Sequence, residues 1–309
     1  MKGNDCMLLI KGLDLGNGFC KYGVNERFAS KVKKGKLVKI ASGKTNNEVH
    51  EVVYEGKNWI VGDGNAFIGR ERYFTKEYEI AFLTAIALSN KEKRNPVDVK
   101  GVIGIPYEHH NADAEKVQNY LSKLGVKKIT VDGVDHIIDM KDITVFVEGA
   151  LPIKDNDDGH IITIDVGTGT INIVEWKDQV AIESHTENGS FNTMYKQLSS
   201  YLNNEYGTSL NPKKCEELIK KPVLIKSDGE KIDIKEDVDT FLEGSISNVL
   251  SYTKHIDFEG AEKIKVFGGG AAETYSIWKK HFKKAELVDN YQYTNQEIYQ
   301  AVADTIYEE

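Results

Sequence analysis

The 309 residues predict an α/β fold of two domains, and three observations carry that prediction. Apolar, β-branched runs alternate with helical runs along most of the chain, a spacing that favours a mixed sheet over an all-β or all-α design. One pattern occurs twice: an apolar strand ending in aspartate, a glycine-rich turn, then a second apolar strand, once at Leu8 to Val24 (LLIKGLDLGNGFCKYGV) and again at Ile161 to Trp176 (IITIDVGTGTINIVEW). The length itself is a soft prior for two domains, and 40% hydrophobic residues suffice for a sizeable core.

The repeated hairpin carries the chemistry. Asp14 and Asp165 each begin an Asp-x-Gly-x-Gly pattern, Gly16-Asn17-Gly18 in the first copy and Gly167-Thr168-Gly169 in the second, where Thr170 follows. Glycines let backbone N–H groups approach a ligand closely, and the threonines add hydroxyls, so phosphate oxygens are the natural ligand of such a concavity. A carboxylate beside phosphates makes sense chiefly with a Mg²⁺ between them that keeps some of its waters. Lys21, seven residues after Asp14, is placed to reach back to a phosphate as a point charge. A single copy reads equally well as an ordinary tight hairpin. Two copies in matching strand contexts read as the halves of one nucleotide clamp.

Between the hairpins, residues 26 to 62 form a small β-rich insertion, with strands at Glu51 to Tyr54 and Asn58 to Val61. From Glu77 the period turns helical, with Ile80, Leu83 and Ala87 on one face and Phe82 and Ile86 widening it, until Asn90 to Pro96 ends it. Val97 to Ile105 reads as a buried strand closed by Gly104-Ile105-Pro106, Asp113 to Leu124 as a helix, and Lys127 to Val131 as a strand. His109 and His110 fall in the loop between; without H-E-x-x-H or nearby cysteines they read as solvated side chains rather than metal ligands. Ile143 to Val147 is a short strand ending in Glu148, a carboxylate placed to orient or deprotonate an attacking water, although a surface Glu at a strand corner would look the same. The polar run Lys154 to Gly159 is the expected domain crossover.

Beyond the second hairpin, Gln179 to Ser184 supplies a third strand, and Asn188-Gly189-Ser190 opens a helix from Phe191 to Tyr206 with its apolar face at Phe191, Met194, Leu198 and Leu202. The start of that helix could add its dipole to a phosphate site. Asn211-Pro212 caps a short charged helix to Lys220, residues 221 to 236 form a small β excursion, and Val238 to about Tyr252 follows the helical period closely. Lys263 to Phe267 is a strand running into Gly268-Gly269-Gly270 and a helix towards Trp278; three glycines there suggest backbone passing close to a flat or bulky ligand such as adenosine. Thr294-Asn295-Gln296-Glu297 reads as a capping box that starts a terminal helix.

Composition excludes several classes. A net charge of −8 opposes a broad nucleic-acid surface, leaving local patches such as Lys31 to Lys39 as the only candidates. Three cysteines, Cys6, Cys20 and Cys215, form no C-x-x-C pair and suit reduced thiols. No apolar run reaches the length of a membrane span, and the polar start is no signal peptide, so a cytoplasmic protein without a membrane attachment is expected.

Taken in order, the first hairpin with its lysine, the strand-end Glu148, the second hairpin and the glycine triplet resemble the actin superfamily. DLGNGFCKYGV resembles its first phosphate loop, and IITIDVGTGTINIVEW with VFGGGAAE its second phosphate loop and adenosine motif. Length, the Gly-Ile-Pro turn and the short subdomains look most like bacterial plasmid-segregation actins, the ParM-like group. The resemblance implies a duplicated actin-like (ribonuclease-H-like) fold, two domains around a nucleotide cleft, each with a small inserted subdomain. Domain I would be 1–155, with its small subdomain at about 26–75 and the helix of about 294–309 packed back on it. Domain II would be 156–293, with its small subdomain at about 205–250. It implies ATP, with GTP possible, and Mg²⁺. Asp14 and Asp165 would organise the metal through water, and Gly16, Asn17, Gly18, Gly167, Thr168, Gly169 and Thr170 would cradle phosphates. Lys21 would contact the β- and γ-phosphates, Glu148 would position the hydrolytic water with Asp165 beside it in catalysis, and Gly268, Gly269 and Gly270 would line the adenosine pocket. The implied activity is ATP-dependent polymerisation into filaments that segregate plasmid DNA, hydrolysis controlling filament stability, with a DNA-binding adaptor on centromere-like DNA as partner and no direct DNA binding. The rival is a non-polymerising small-molecule kinase of the same superfamily, which would need a base carboxylate facing an acceptor pocket.

Overall fold

The computed structural model describes residues 7–37, 48–93 and 95–308, so Cys6 and the end of the lysine run, Val38 and Lys39, lie outside the described residues. In chain order the elements are β1 (Met7–Leu15), β2 (Phe19–Gly23), β3 (Glu26–Ala29), β4 (Lys31–Lys34), β5 (His50–Tyr54), β6 (Lys57–Val61), β7 (Asn65–Ala66), a 3-10 helix (Arg70–Phe74), α1 (Lys76–Ser89), β8 (Val97–Ile105), α2 (Tyr107–Ser122), β9 (Val126–Val131), β10 (Val134–Val147) and α3 (Leu151–Asp155). There follow β11 (His160–Val166), β12 (Thr170–Lys177), β13 (Val180–Asn188), α4 (Ser190–Tyr206), α5 (Pro212–Lys220), β14 (Val223–Ile225), β15 (Lys231–Asp233), α6 (Lys235–Tyr252), β16 (Lys263–Phe267), α7 (Ala271–His281), β17 (Ala285–Leu287) and α8 (Thr294–Tyr307). They partition into two compact units, the first running to Lys154 and resuming at Tyr293, the second Asp155–Gln292.

The first unit holds a ten-stranded sheet ordered β3-β2-β1-β8-β10-β9-β5-β6-β4-β7, and the second a five-stranded sheet ordered β13-β12-β11-β16-β17. Five positions correspond. In each, two antiparallel strands extend one side of a central strand, β1 or β11, and two parallel strands extend the other. This is the α/β duplication that the two hairpins predict. Asp14 and Asp165 therefore occupy the same place, the carboxyl end of the strand at the centre of each repeat.

The central strands read as continuous apolar runs because both of their faces are covered. In β11, Ile161, Ile162, Ile164 and Val166 are all buried, and the helices of that unit contribute Phe191, Leu198, Val238, Leu242, Ile246 and Trp278 to the same core. In the first unit, α1 is buried nearly all round, from Tyr78 through Ala87, where a single apolar face was expected; its small residues Ala81, Ala85 and Ala87 let neighbours close on every side. Asn211 caps α5 through Lys214 N, as its Asn-Pro signature predicts.

Four expectations are corrected. α2 begins at Tyr107, six residues before the predicted start, so His109 and His110 lie in a helix and not in a loop. Pro106 occupies the cap position, and the polar first turns hide the period there. The strand ending at Val147 begins at Val134 and not at Ile143; Asp132 and Gly133, both with positive φ, turn β9 into it, and its charged outward residues mask the alternation. β17 was not anticipated, being three residues long. Finally, α8 has Tyr293 at its cap without a side-chain cap bond, so the expected capping box does not form. The two residues between Thr294 and Glu297 tie the helix down: Asn295 Oδ1 accepts from Gly149 N at 3.2 Å, and Gln296 Nε2 donates to Gly12 O at 3.2 Å.

The buried thiols of Cys20 and Cys215 are pushed up to about 12 and about 11 by burial, so both are inert packing groups. Among the described residues, no helix is long and apolar enough to cross a membrane.

Candidate functional site

In the first unit, Leu13 pairs with Ile103 and Val147 with Ile105, so Asp14 and Glu148 stand at the carboxyl edge of three parallel strands, β1, β8 and β10, with Gly104-Ile105-Pro106 between them. Pairing runs right up to the carboxylate, because Glu148 N donates to Ile105 O at 2.9 Å. Two inter-strand steps put the two backbones about 10 Å apart. The space outside the carboxyl ends of such strands is where open α/β sheets bind ligands.

Asp14 and Lys21 face each other in hairpin register, and Lys21 Nζ donates to Asp14 Oδ2 at 2.6 Å. The Gly16-Asn17-Gly18 turn is fixed from outside: Ser30 Oγ donates to Gly16 O at 2.5 Å and Ser30 N to Gly18 O at 2.9 Å.

The second unit repeats the device. Gly167 N donates to Thr170 O at 2.8 Å to close the turn, and Ser190 Oγ donates to Gly167 O at 2.7 Å. Ser30 and Ser190 thus hold the first glycine carbonyl of each turn in the same way, a correspondence the sequence reading missed because the two serines sit at different distances from their hairpins. Opposite Asp165 stands Asn172, whose carboxamide bonds Thr186 and Thr170, so only the first hairpin carries a cation across from its aspartate. The start of α4 is used inside the protein, Asn192 N donating to Thr168 O at 3.0 Å.

The glycine triplet joins this half-site through strand pairing, Asp165 lying beside Phe267. Gly268 has φ +98°, and a β-carbon on it would meet Asp165 Oδ1 at 2.3 Å. One on Gly270 would meet the Phe191 ring at 2.0 Å, whereas Gly269 has no neighbouring atom within 4 Å. Two of the three glycines therefore serve internal close approach, and Gly269 borders open space. A cavity of about 490 Å³ lies between α4 and α6, lined by Glu187, Ser190, Gln197 and Asn248 among others.

The donor set suits a magnesium ion with an incomplete protein shell. Each turn, in its own unit, offers one buried aspartate, and among the described residues no three His, Cys, Asp or Glu side chains cluster to hold a metal unaided. Mg²⁺ bound by one or two carboxylates, phosphates and waters needs no more than that. His110 Nε2 instead contacts Val145 O at 3.2 Å, and burial holds His109 below the ordinary histidine range. The sequence reading also passed over Arg72, buried in the same unit as Asp14 and Glu148.

Residues 12–150 match the family model for the N-terminal domain of actin-like proteins. The chain has the actin-like fold. Along nearly its whole length it resembles a 15-stranded ParM filament from Clostridium botulinum, with 21% identity, TM-score 0.80, and 97% of this chain and 99% of that one covered. The archaeal actin homologue Ta0583 in complex with ADP is similar at 16% identity and TM-score 0.77, over 96% and 100% of the two chains. The apo ParM protein of pSK41 aligns at 19% identity and TM-score 0.71, over 97% and 98%. No curated protein matches the chain by sequence. The actin-like recognition drawn from the two hairpins is borne out at the level of fold, and over residues 12–150 by the family model.

Proposed function

We propose that the chain is a Mg-dependent ATPase that polymerises with ATP and segregates plasmid DNA in the cytoplasm. The observation that carries this is the duplicated, serine-fixed glycine turn following an aspartate at the carboxyl end of each central strand, in an actin-like fold. Gly16 to Gly18 and Gly167 to Thr170 would present N–H groups and hydroxyls to phosphates, and Lys21 would add a charge. Mg²⁺ held through water by Asp14 and Asp165 would neutralise phosphate charge. Glu148 would orient a water whose oxygen bonds the terminal phosphorus as the bond to the bridging oxygen breaks, ADP leaving with the electron pair and the water's proton passing to the carboxylate. Gly269, beside open space, leaves room for the adenosine.

The neighbours named as filaments support self-association, and the net charge of −8 supports contact with DNA through a basic adaptor rather than directly. Right-angle light scattering and electron microscopy with Mg-ATP, with Mg-ADP and without nucleotide test the reading. Polymer that forms with ATP and disassembles as phosphate is released is expected; no polymer at any protein concentration sinks it. The kinase alternative draws on one observation, the cavity where Glu187 could face an acceptor hydroxyl. Phosphoryl transfer to a sugar or carboxylate, without polymer, would favour it.

A further inference from the structure

A turn that holds phosphate must present N–H groups to it and keep its carbonyl oxygens turned away, because those oxygens and the phosphate repel. The peptide plane links the two demands. In a trans peptide the carbonyl oxygen of one residue and the N–H of the next point in opposite directions, so holding the oxygen on one side aims the N–H to the other. Both turns are held in this manner. In the first, Ser30 Oγ donates to Gly16 O at 2.5 Å and Ser30 N to Gly18 O at 2.9 Å. In the second, Ser190 Oγ donates to Gly167 O at 2.7 Å, Asn192 N to Thr168 O at 3.0 Å and Gly189 N to Gly169 O at 2.8 Å.

The N–H groups on the far side of these planes are unused. Asn17 N belongs to the plane that Ser30 Oγ fixes, Thr168 N to the one that Ser190 Oγ fixes, and Gly169 N to the one that Asn192 fixes. Among the described residues, none of the three donates to a protein acceptor. All three residues are half-buried, so the groups are within reach of a ligand. The direction of the Ser30 bond follows from its chemistry. A carbonyl only accepts, so the one hydroxyl proton of this fully buried serine goes to Gly16 O, and the Cys20 thiol 3.4 Å away is left to donate to Ser30 Oγ. Glycine on the near side lets each plane flip at little cost, which is why an outside hold matters at Gly16 and Gly167.

We propose that Ser30 and Ser190 are positioning residues for phosphate recognition: each hydroxyl pins the carbonyl of the turn's first glycine and thereby aims the next N–H, that of Asn17 or Thr168, at a phosphate oxygen of the nucleotide. This role rests on the turns being the phosphate sites proposed above. It favours ligands that carry a phosphate chain and gives nothing to a nucleoside without one.

The test is calorimetric titration of the native protein, S30A and S190A with Mg-ATP and with adenosine, together with amide NMR spectra and melting temperatures. Alanine removes the hydroxyl alone and leaves the backbone donor Ser30 N in place. Each substitution should weaken Mg-ATP binding at least about tenfold, the scale of one charged hydrogen bond, and leave adenosine affinity as it is. The Asn17 and Thr168 amide signals should shift when Mg-ATP binds the native protein, and each variant should lose the shift in its own turn while keeping the other. A serine that only holds the fold would weaken both ligands by one factor or leave both amide shifts in place, and either result overturns the proposal for that residue. If the native protein binds Mg-ATP and both variants bind it equally well, the serine role alone fails; if the native protein does not bind Mg-ATP, the phosphate reading of the turns fails and the serine role with it. Should S30A not fold, S190A decides, since Ser190 is only half-buried at the start of α4.

Discussion

Lys21 and Asp14 form an ion pair of 2.6 Å within one hairpin, directly across the register. Two residues assigned to separate ligands, phosphate and metal, are thus tied to each other. An ammonium has three donors, so Lys21 can engage a phosphate while keeping Asp14. On the proposed reading, Lys21→Ala would remove a phosphate contact, and it takes from Asp14 the ammonium it is paired with. A charged hydrogen bond is worth about 1.5–3 kcal/mol, so ATP affinity should fall on the order of 10- to 100-fold. Isothermal titration with Mg-ATP checks this, and unchanged affinity would remove Lys21 from the site.

Gly268 makes the second half-site sensitive to a single methyl. Its φ of +98° disfavours any side chain, and the added carbon would lie 2.3 Å from Asp165 Oδ1 and 2.7 Å from Val166 N. Gly268→Ala should therefore displace the aspartate and cost about 2 kcal/mol or more in stability. Gly269→Ala meets nothing within 4 Å and should fold normally, any effect showing in nucleotide binding alone. Denaturant unfolding and nucleotide titration of the two variants separate the cases.

The hairpins were legible because their pattern is local: a buried strand, an acid, a glycine turn and another strand, all within 17 residues. The serines that fix the turns were not, since Ser30 reaches its turn from the β3–β4 junction and Ser190 from the start of α4. Arg72 stood in a run with Arg70 that reads as surface charge, and only tertiary packing distinguishes the buried arginine from the one paired at the surface. The start of α8 misled for a related reason. The helix starts one residue before the box requires, with Tyr293 at its cap, and the two residues inside the box, Asn295 and Gln296, bond the Glu148-Gly149 corner and β1. Local propensity was overruled by a tertiary contact that the sequence does not display.

Burial holds His109 and His136 below the ordinary histidine range. The unfolded chain then binds protons at a higher pH than the folded one, so stability is fully present above the unfolded value of about 6.5 and declines as pH falls below it. The free energy of unfolding should fall between about pH 7 and 5.5. Replacing both histidines with glutamine should flatten that decline. A slope that survives the double substitution would assign the acid sensitivity to other groups.

Gly12 of β1 lies hard against the backbone of α8. A β-carbon on Gly12 would lie 2.0 Å from Gln300 N and 2.2 Å from Tyr299 C, atoms that cannot swing aside. Gln300 Oε1 accepts from Gly12 N at 3.0 Å and Gln296 Nε2 donates to Gly12 O, so β1 and α8 are joined by side-chain amides as well as by contact. Gly12→Ala must push the helix outward and uncover Ile298, Tyr299 and Ala303, all fully buried. The expected loss is about 3 kcal/mol or more, against about 1–3 kcal/mol for Gln300→Ala, which strips only the amide partner. Hydrogen exchange localises the effect: protection should drop across α8 and β1 while the strands of the second unit keep theirs. Equal protection in Gly12→Ala and the native protein would mean that α8 does not dock on Gly12, and with it would go the account of why glutamines occupy a helix face that the sequence reads as a cap.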